Sequence, residues 1–265
     1  MNRIVLCLCI LVLGGLLTPG CTKKHVFSSD KGKVYLGFQS KFSNGDIEEK
    51  SIISQLKFSP KLIQWRLNFE KPFPETFCKN VVAKEGVPFL LWEPWVWGDS
   101  ESIRLNQISQ GQWDSYISKF AQETKAYGFP VLISFAPGLN NESKPWGIKN
   151  NTAEVYAEAF IHVVSLFKKQ GASNVQWVWS VDAQSPFANS LMKAFPGNEI
   201  ISWINISGTN LGSLNLDSHW QSFDEIFGPA ILYFRNSQYG TPLCITAACA
   251  SVGGNQSSWY RLIPG

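Results

Sequence analysis

Residues 130–180 read PVLISFAPGLNNESKPWGIKNNTAEVYAEAFIHVVSLFKKQGASNVQWVWS. Two short apolar runs, Pro130–Ala136 and Asn174–Ser180, flank a helical pattern over Thr152–Gln170. In that pattern Tyr156, Phe160, Val163, Val164 and Phe167 recur at the spacing of one helix face. Asn151 with Glu154 three residues on resembles a capping box, and Lys168, Lys169 and Gly171 form a stop. Apolar runs without alternation are what a parallel strand shows when both its faces are covered. The stretch therefore reads strand, helix, strand.

The same alternation extends outward in both directions. Further strands are expected at Val34–Phe38, Leu62–Phe69, Val87–Trp92, Ile200–Ile206 and Leu243–Thr246. A helix is expected over Gln112–Tyr127, with Trp113, Ile117, Phe120 and Thr124 in register and Gly128 as its stop. Another covers Trp220–Gln238, with a kink at Pro229. A last turn of helix falls at Asn255–Leu262. This order predicts an α/β fold, a TIM-type (β/α) barrel. Only seven strands can be read, so the barrel is expected to be incomplete at its carboxyl-terminal end, unless two strands near the start have been merged. It should then close with seven strands or carry a covered edge, because unpaired edges invite association.

Composition narrows the function. The 265 residues carry 23 Lys and Arg against 20 Asp and Glu, a net charge of +3, without a clustered basic run, which argues against nucleic acid as a partner. Hydrophobic residues make up 45% and charged residues 16%, below the roughly 25% of an average domain, which excludes a disordered chain. The 11 Trp suit either a layered core or a surface that stacks on sugar rings.

At the amino terminus Arg3 precedes the apolar stretch Ile4–Leu17, too short to span a bilayer of about 30 Å comfortably as a helix. Residues 1–20 read as a signal peptide. Leu17-Thr18-Pro19-Gly20-Cys21 resembles the lipobox of bacterial lipoproteins, which implies lipidation at Cys21 and anchoring to a membrane of the bacterial cell envelope. Ordinary cleavage would instead give a secreted protein. Residues 21–33 then form a tether and 34–265 one domain. Cys78, Cys244 and Cys249 are the remaining thiols, and neither a disulfide framework nor a zinc spacing is present. No metal or cofactor is expected.

A family resemblance rests on four ordered segments. Pro130–Asn140 with Pro145-Trp146-Gly147 resembles the fourth-strand region of glycoside hydrolase family 26, the β-mannanase and β-glucanase family. Asn174–Ser180 is similar to its fifth-strand signature, Phe195–Gly208 to the next segment, and Thr241–Thr246 to its seventh strand. The resemblance implies a general acid/base glutamate after the fourth strand and a nucleophilic glutamate ending the seventh. The ungapped match puts Gly138, preceded by Pro137, and Ala247 at those positions. The Tyr that supports the nucleophile falls on Thr209, and a substrate-stacking Trp on Ser143. Retaining hydrolysis needs two carboxyl groups about 5–5.5 Å apart, so the resemblance implies a degenerate, catalytically inactive member.

Glu93 and Asp182, at the ends of the third and fifth strands, are the only carboxylates placed to substitute as a relocated pair. Glu142 reads as a solvated loop residue. His25, His162 and His219 lack a triad partner. Barrel chemistry sits where strands end, and there the chain offers aromatic and amide groups: Trp92, Glu93, Trp95 and Trp97 after the third strand, Asn140, Asn141 and Trp146 after the fourth, Trp179 and Asp182 at the fifth. These are the candidate carbohydrate-binding residues. The expected partner is a β-linked polysaccharide or oligosaccharide, or a protein of the envelope. An active β-glycanase using the relocated pair and a structural protein without a glycan are the alternatives.

Overall fold

The computed structural model describes residues 8–12, 37–39, 61–96, 103–187, 191–214, 218–236, 240–250 and 253–261. Seven parallel strands form its centre: β2 (Gly37–Gln39), β3 (Leu62–Asn68), β4 (Val87–Glu93), β5 (Val131–Phe135), β6 (Val175–Asp182), β7 (Ile201–Asn210) and β8 (Leu243–Cys249). They lie side by side in chain order, each hydrogen-bonded in parallel to the next. The helices are α1 (Glu75–Val82), α2 (Leu105–Ser109), α3 (Asp114–Tyr127), α4 (Ala153–Gln170), α5 (Phe223–Asn236) and α6 (Gln256–Arg261). None among the described residues is long and apolar enough to cross a membrane.

Strand side chains alternate between two interiors. One set, including Ile63, Trp65, Leu90, Trp92, Ile133, Trp177, Trp179, Ile245 and Ala247, packs between sheet and helices. The other set, Leu62, Phe89, Leu91, Leu132, Val178, Trp203 and Cys244, forms a separate apolar cluster inside the curl of the sheet. Above that cluster runs a chain of buried polar side chains. Gln64 Nε2 donates to Thr246 Oγ1 at 3.1 Å, and Thr246 Oγ1 donates to Asn205 Oδ1 at 2.8 Å. Asn205 Nδ2 donates to Ser180 Oγ at 3.2 Å, which also receives Ser134 Oγ–H at 2.7 Å. Direct contact between β3 and β8, far apart in strand order, shows that the sheet rolls up as a barrel does. The roll is incomplete: no ladder joins its two end strands among the described residues.

The outer edge of β8 is covered. Leu8–Val12 forms a strand, β1, antiparallel to β8 with Leu8 opposite Ala247 and Val12 opposite Leu243, and β1 also lies beside β2. These five residues are the described part of the segment read above as a signal peptide. Cys21, the tether and His25 lie outside the described residues.

Local signals explain the helix ends, with two corrections. The cap of α4 is Thr152, in extended conformation, whose hydroxyl accepts from Val155 N at 3.2 Å. Asn151 is not the cap, because its amide donates to the carbonyls of Pro145 and Gly147 and ties down the preceding loop. The helix expected over Gln112–Tyr127 begins at Asp114, after a separate short α2 and a turn at Gly111, where φ is +85°. Gly171 takes the left-handed conformation expected of a helix stop. Ahead of α5, Ser222 and Glu225 exchange backbone and side-chain hydrogen bonds, and the bonds from Ser222 hold the Glu225 carboxyl below its ordinary pKa.

Candidate functional site

The carboxyl ends of the strands carry two polar networks. The first joins β3, β4 and the loop after β5. Glu93 ends β4 nearly buried, with Oε1 accepting from Arg66 Nη1 and from Lys144 Nζ, the latter at 3.4 Å. Its Oε2 accepts from Trp95 Nε1 at 3.0 Å. Lys144 also stands 5.0 Å from the centre of the Trp146 ring, a cation–π distance. Arg66 and Asn68 are the rim-facing residues of β3, and Asn68 Nδ2 donates to Phe69 O at 2.9 Å.

Beside this cluster opens a groove of about 550 Å³, lined by Arg66, Asn68, Glu93 and Trp95 and by a wall from the segment Lys71–Phe77. Pro72, Phe73, Pro74 and Phe77 make that wall largely apolar. A few fixed polar groups over an apolar floor is the usual make-up of a small-ligand site.

The second network joins the loop after β5 to β6 and β7. Asn140 Nδ2 donates to Asp182 O at 2.8 Å while its Oδ1 accepts from Asp182 N at 2.7 Å. Asn141 Nδ2 donates to Asp182 Oδ2 at 2.8 Å, and Gln184 N occupies Oδ1 at 2.9 Å. Gln184 Oε1 accepts from Thr209 N at 2.9 Å. Asp182 thus acts as a fastener between loops.

The positions matched to catalytic glutamates differ from each other. Gly138 follows β5 with φ +73°, its N–H on Ser180 O at 2.9 Å, and a Cβ built there would meet nothing within 4 Å. Just before it Ala136 is held at φ +47°, a rare conformation for a residue with a Cβ, and Tyr156 OH donates to its carbonyl at 3.1 Å. Burial pushes the Tyr156 phenol far above its ordinary pKa, which keeps it a hydrogen donor. Ala247 is wholly buried in the cluster between sheet and helices, so the neighbouring rim-facing residue of β8 is Ala248. Neither β5 nor β8 ends in a carboxylate.

Several sequence expectations are corrected. Trp92 and Trp179 have no exposed surface. Trp92 stacks on Phe120 with ring centres 4.4 Å apart, and Trp179 meets Phe195 and Phe234 edge-on, so both are packing residues and offer no face to a sugar. Trp146 is buried as well, its indole donating to Pro137 O at 2.9 Å. Trp95 remains partly exposed at the groove; Trp97 lies outside the described residues. Glu93 and Asp182 both face the rim, yet each belongs to a different network. Sequence reading missed Arg66, Asn68, Lys71 and Lys144. The signal was present in Leu62-Ile63-Gln64-Trp65-Arg66-Leu67-Asn68, where every second residue from Gln64 is polar.

Of the three histidines, His162 pairs with Asp114 at 2.6 Å, joining α4 to α3 away from the rim. Among the described residues no group of three or more His, Cys, Asp or Glu could hold a metal ion.

A rolled parallel sheet with helices between its strands places the chain among the (β/α)-barrel folds. Within that class its fold is glycoside-hydrolase-26-like. The family 26 β-mannanase BoMan26A from Bacteroides ovatus superposes with a TM-score of 0.57 at 13% identity, covering 84% of this chain and 68% of that one. Mannanase man26 of Bacillus subtilis gives 0.51 at 14% identity, covering 77% and 75%. The YdhT protein of Bacillus subtilis gives 0.51 at 17% identity, covering 76% and 74%. In sequence, endoglucanase H of Acetivibrio thermocellus is 31% identical over 208 residues, 75% of this chain but 22% of that protein's length. No protein-family model matches the chain.

Proposed function

We propose that this domain binds a β-linked polysaccharide at its carboxyl rim without hydrolysing it, on an envelope protein anchored through Cys21. The observation that carries this reading is the rim itself. A glycosidase fold is present, but Gly138, in the loop after β5, and Ala247 and Ala248, near the end of β8, can neither protonate a leaving oxygen nor form a glycosyl-enzyme. What remains beside the groove is Arg66, Asn68, Glu93 and Trp95, hydrogen-bonding groups and one aromatic edge suited to hydroxyls and C–H faces. The names of the similar proteins, mannanases and an endoglucanase, point to the same class of ligand.

Relocated catalysis by Glu93 and Asp182 has less support. Both carboxylates are spent on donors within the protein: Glu93 on Arg66, Lys144 and Trp95, Asp182 on Asn141 and Gln184. Incubation of the purified chain with mannan, xylan and mixed-linkage glucan should release no sugar above a blank, while calorimetry with the matching oligosaccharides should register heat. Hydrolysis by the wild type that Glu93→Gln or Asp182→Asn abolishes would overturn the binding reading. For the anchor, a fatty-acid probe fed to cells should label the wild type and miss Cys21→Ser.

A further inference from the structure

We infer that the groove beside β3 selects acidic glycans, chains that carry the carboxylate of a uronic acid, over neutral ones. The inference rests on the glycan-binding reading above and names its ligand class. Its starting point is Arg66. The guanidinium lines the groove, is half exposed, and spends a single Nη1 contact on Glu93; among the described residues its other N–H groups have no partner. A guanidinium presents five donors in a planar fork that matches a carboxylate.

Glu93 cannot quench this site alone. Its Oε1 is shared by two cations, Arg66 and Lys144, so one negative charge faces two positive ones. Lys71, which also lines the groove, adds a third cation and makes no ion pair among the described residues. Glu75 also lines the groove but is held in an ion pair, and the other acids nearby are committed or turned away. Glu75 pairs with Lys79 at 2.6 Å, Glu123 Oε2 accepts from Phe73 N at 2.9 Å, and Glu70 sits on the exposed turn after β3 and lines no part of the groove.

The wall supplies the rest. Pro72, Pro74, Phe77 and Trp95 line the same groove and give it apolar surface. A pyranose ring laid on that wall would expose one edge to Arg66. A hydroxyl there accepts one ordinary hydrogen bond, whereas a uronate carboxylate accepts two charge-assisted ones, beside a low-dielectric wall that strengthens them.

The test uses the full chain in calorimetry with three oligosaccharides of equal length: a β-1,4-linked mannuronate, a β-1,4-linked mannose and a β-1,4-linked glucose. The mannuronate should bind about tenfold tighter or better at low salt, since hydrogen bonds to charged groups exceed neutral ones. Molar salt should erase most of the difference. Arg66→Gln should bring the three ligands level, while Lys71→Gln, at a residue without an ion pair to Glu93, should weaken only the mannuronate and serves if Arg66→Gln does not fold. Neutral sugars binding as tightly as the mannuronate would overturn the acidic preference and leave the glycan reading standing. Binding of none of the three, in a chain that melts cooperatively, would overturn both.

Discussion

The rim has two sides, and they have fared differently. On the side of β3 and β4, Arg66, Glu93, Trp95 and Lys144 form a bonded cluster beside a groove. On the side of β7 and β8, Thr209 is held through its backbone N–H, Ala248 offers only a methyl group, and Ala247 is turned into the core between sheet and helices. The two carboxylates that face the rim from β4 and β6, Glu93 and Asp182, both have structural partners. A buried carboxylate with donors is costly to delete, because its removal strands the donors; one serving only chemistry leaves nothing behind unpaired. Fold stability alone would preserve the first kind and be indifferent to the second.

Ala247→Glu tests this contrast most severely. A carboxylate there would enter the core between sheet and helices without a partner, and we expect a loss of about 3–5 kcal/mol in urea unfolding, or failure to fold. Gly138→Glu, at the other matched position, meets open space and should cost only the left-handed conformation, about 1–2 kcal/mol. Equal losses for the two would remove the distinction between a closed and an open position.

Glu93→Gln comes next. Losing the charge that Arg66 and Lys144 share should cost about 2 kcal/mol by the same measurement, since hydrogen bonds to charged groups are worth about 1.5–3 kcal/mol. Asp182→Asn, where the partners of the carboxylate are one neutral side-chain amide and one backbone N–H, should cost less. Inside the barrel, Thr246→Val leaves Gln64 Nε2 and Asn205 Oδ1 without their partner, and a loss of about 1–2 kcal/mol is expected.

The smallest effect concerns alkaline pH. Burial pushes the Cys249 thiol at the end of β8 from 9.0 up to about 11. A raised folded value means that the unfolded chain gives up this proton first. The contribution is therefore intact below about pH 9 and lost as pH rises towards 11. Cys78 and Tyr156, raised further by burial, act in the same direction at still higher pH. Unfolding of the wild type at pH 7.5 and pH 10 should show the decline, and Cys249→Ala should lessen it.

The strands were legible because a parallel strand covered on both faces leaves a dense apolar run that few other elements share. Their faces were less so, although the information was present. If Glu93 faces the rim, Trp92 must face the helices; if Asp182 does, Trp179 must point away. Reading the runs as uniformly apolar concealed that alternation and hid Arg66 and Asn68. Trp146 is a different case. Its burial depends on the loop folding back, with Ile148 N on Leu139 O at 2.8 Å and the indole on Pro137 O, contacts that no periodicity encodes. That Gly138 and Ala247 stand where the family resemblance implies glutamates was legible only by that resemblance, because absence has no pattern of its own.

The polar chain inside the barrel also sets an order of assembly. Its bonds among β5, β6, β7 and β8 span 46, 25 and 41 residues, but the one between Gln64 and Thr246 closes a loop of 182. Closing so long a loop costs roughly 5 kcal/mol in chain entropy. On the ribosome, where domains form from the amino terminus, the sheet can grow strand by strand, yet its interior cannot be sealed until residue 246 has emerged. Until that residue is in place the growing sheet presents a raw edge, a surface open to association.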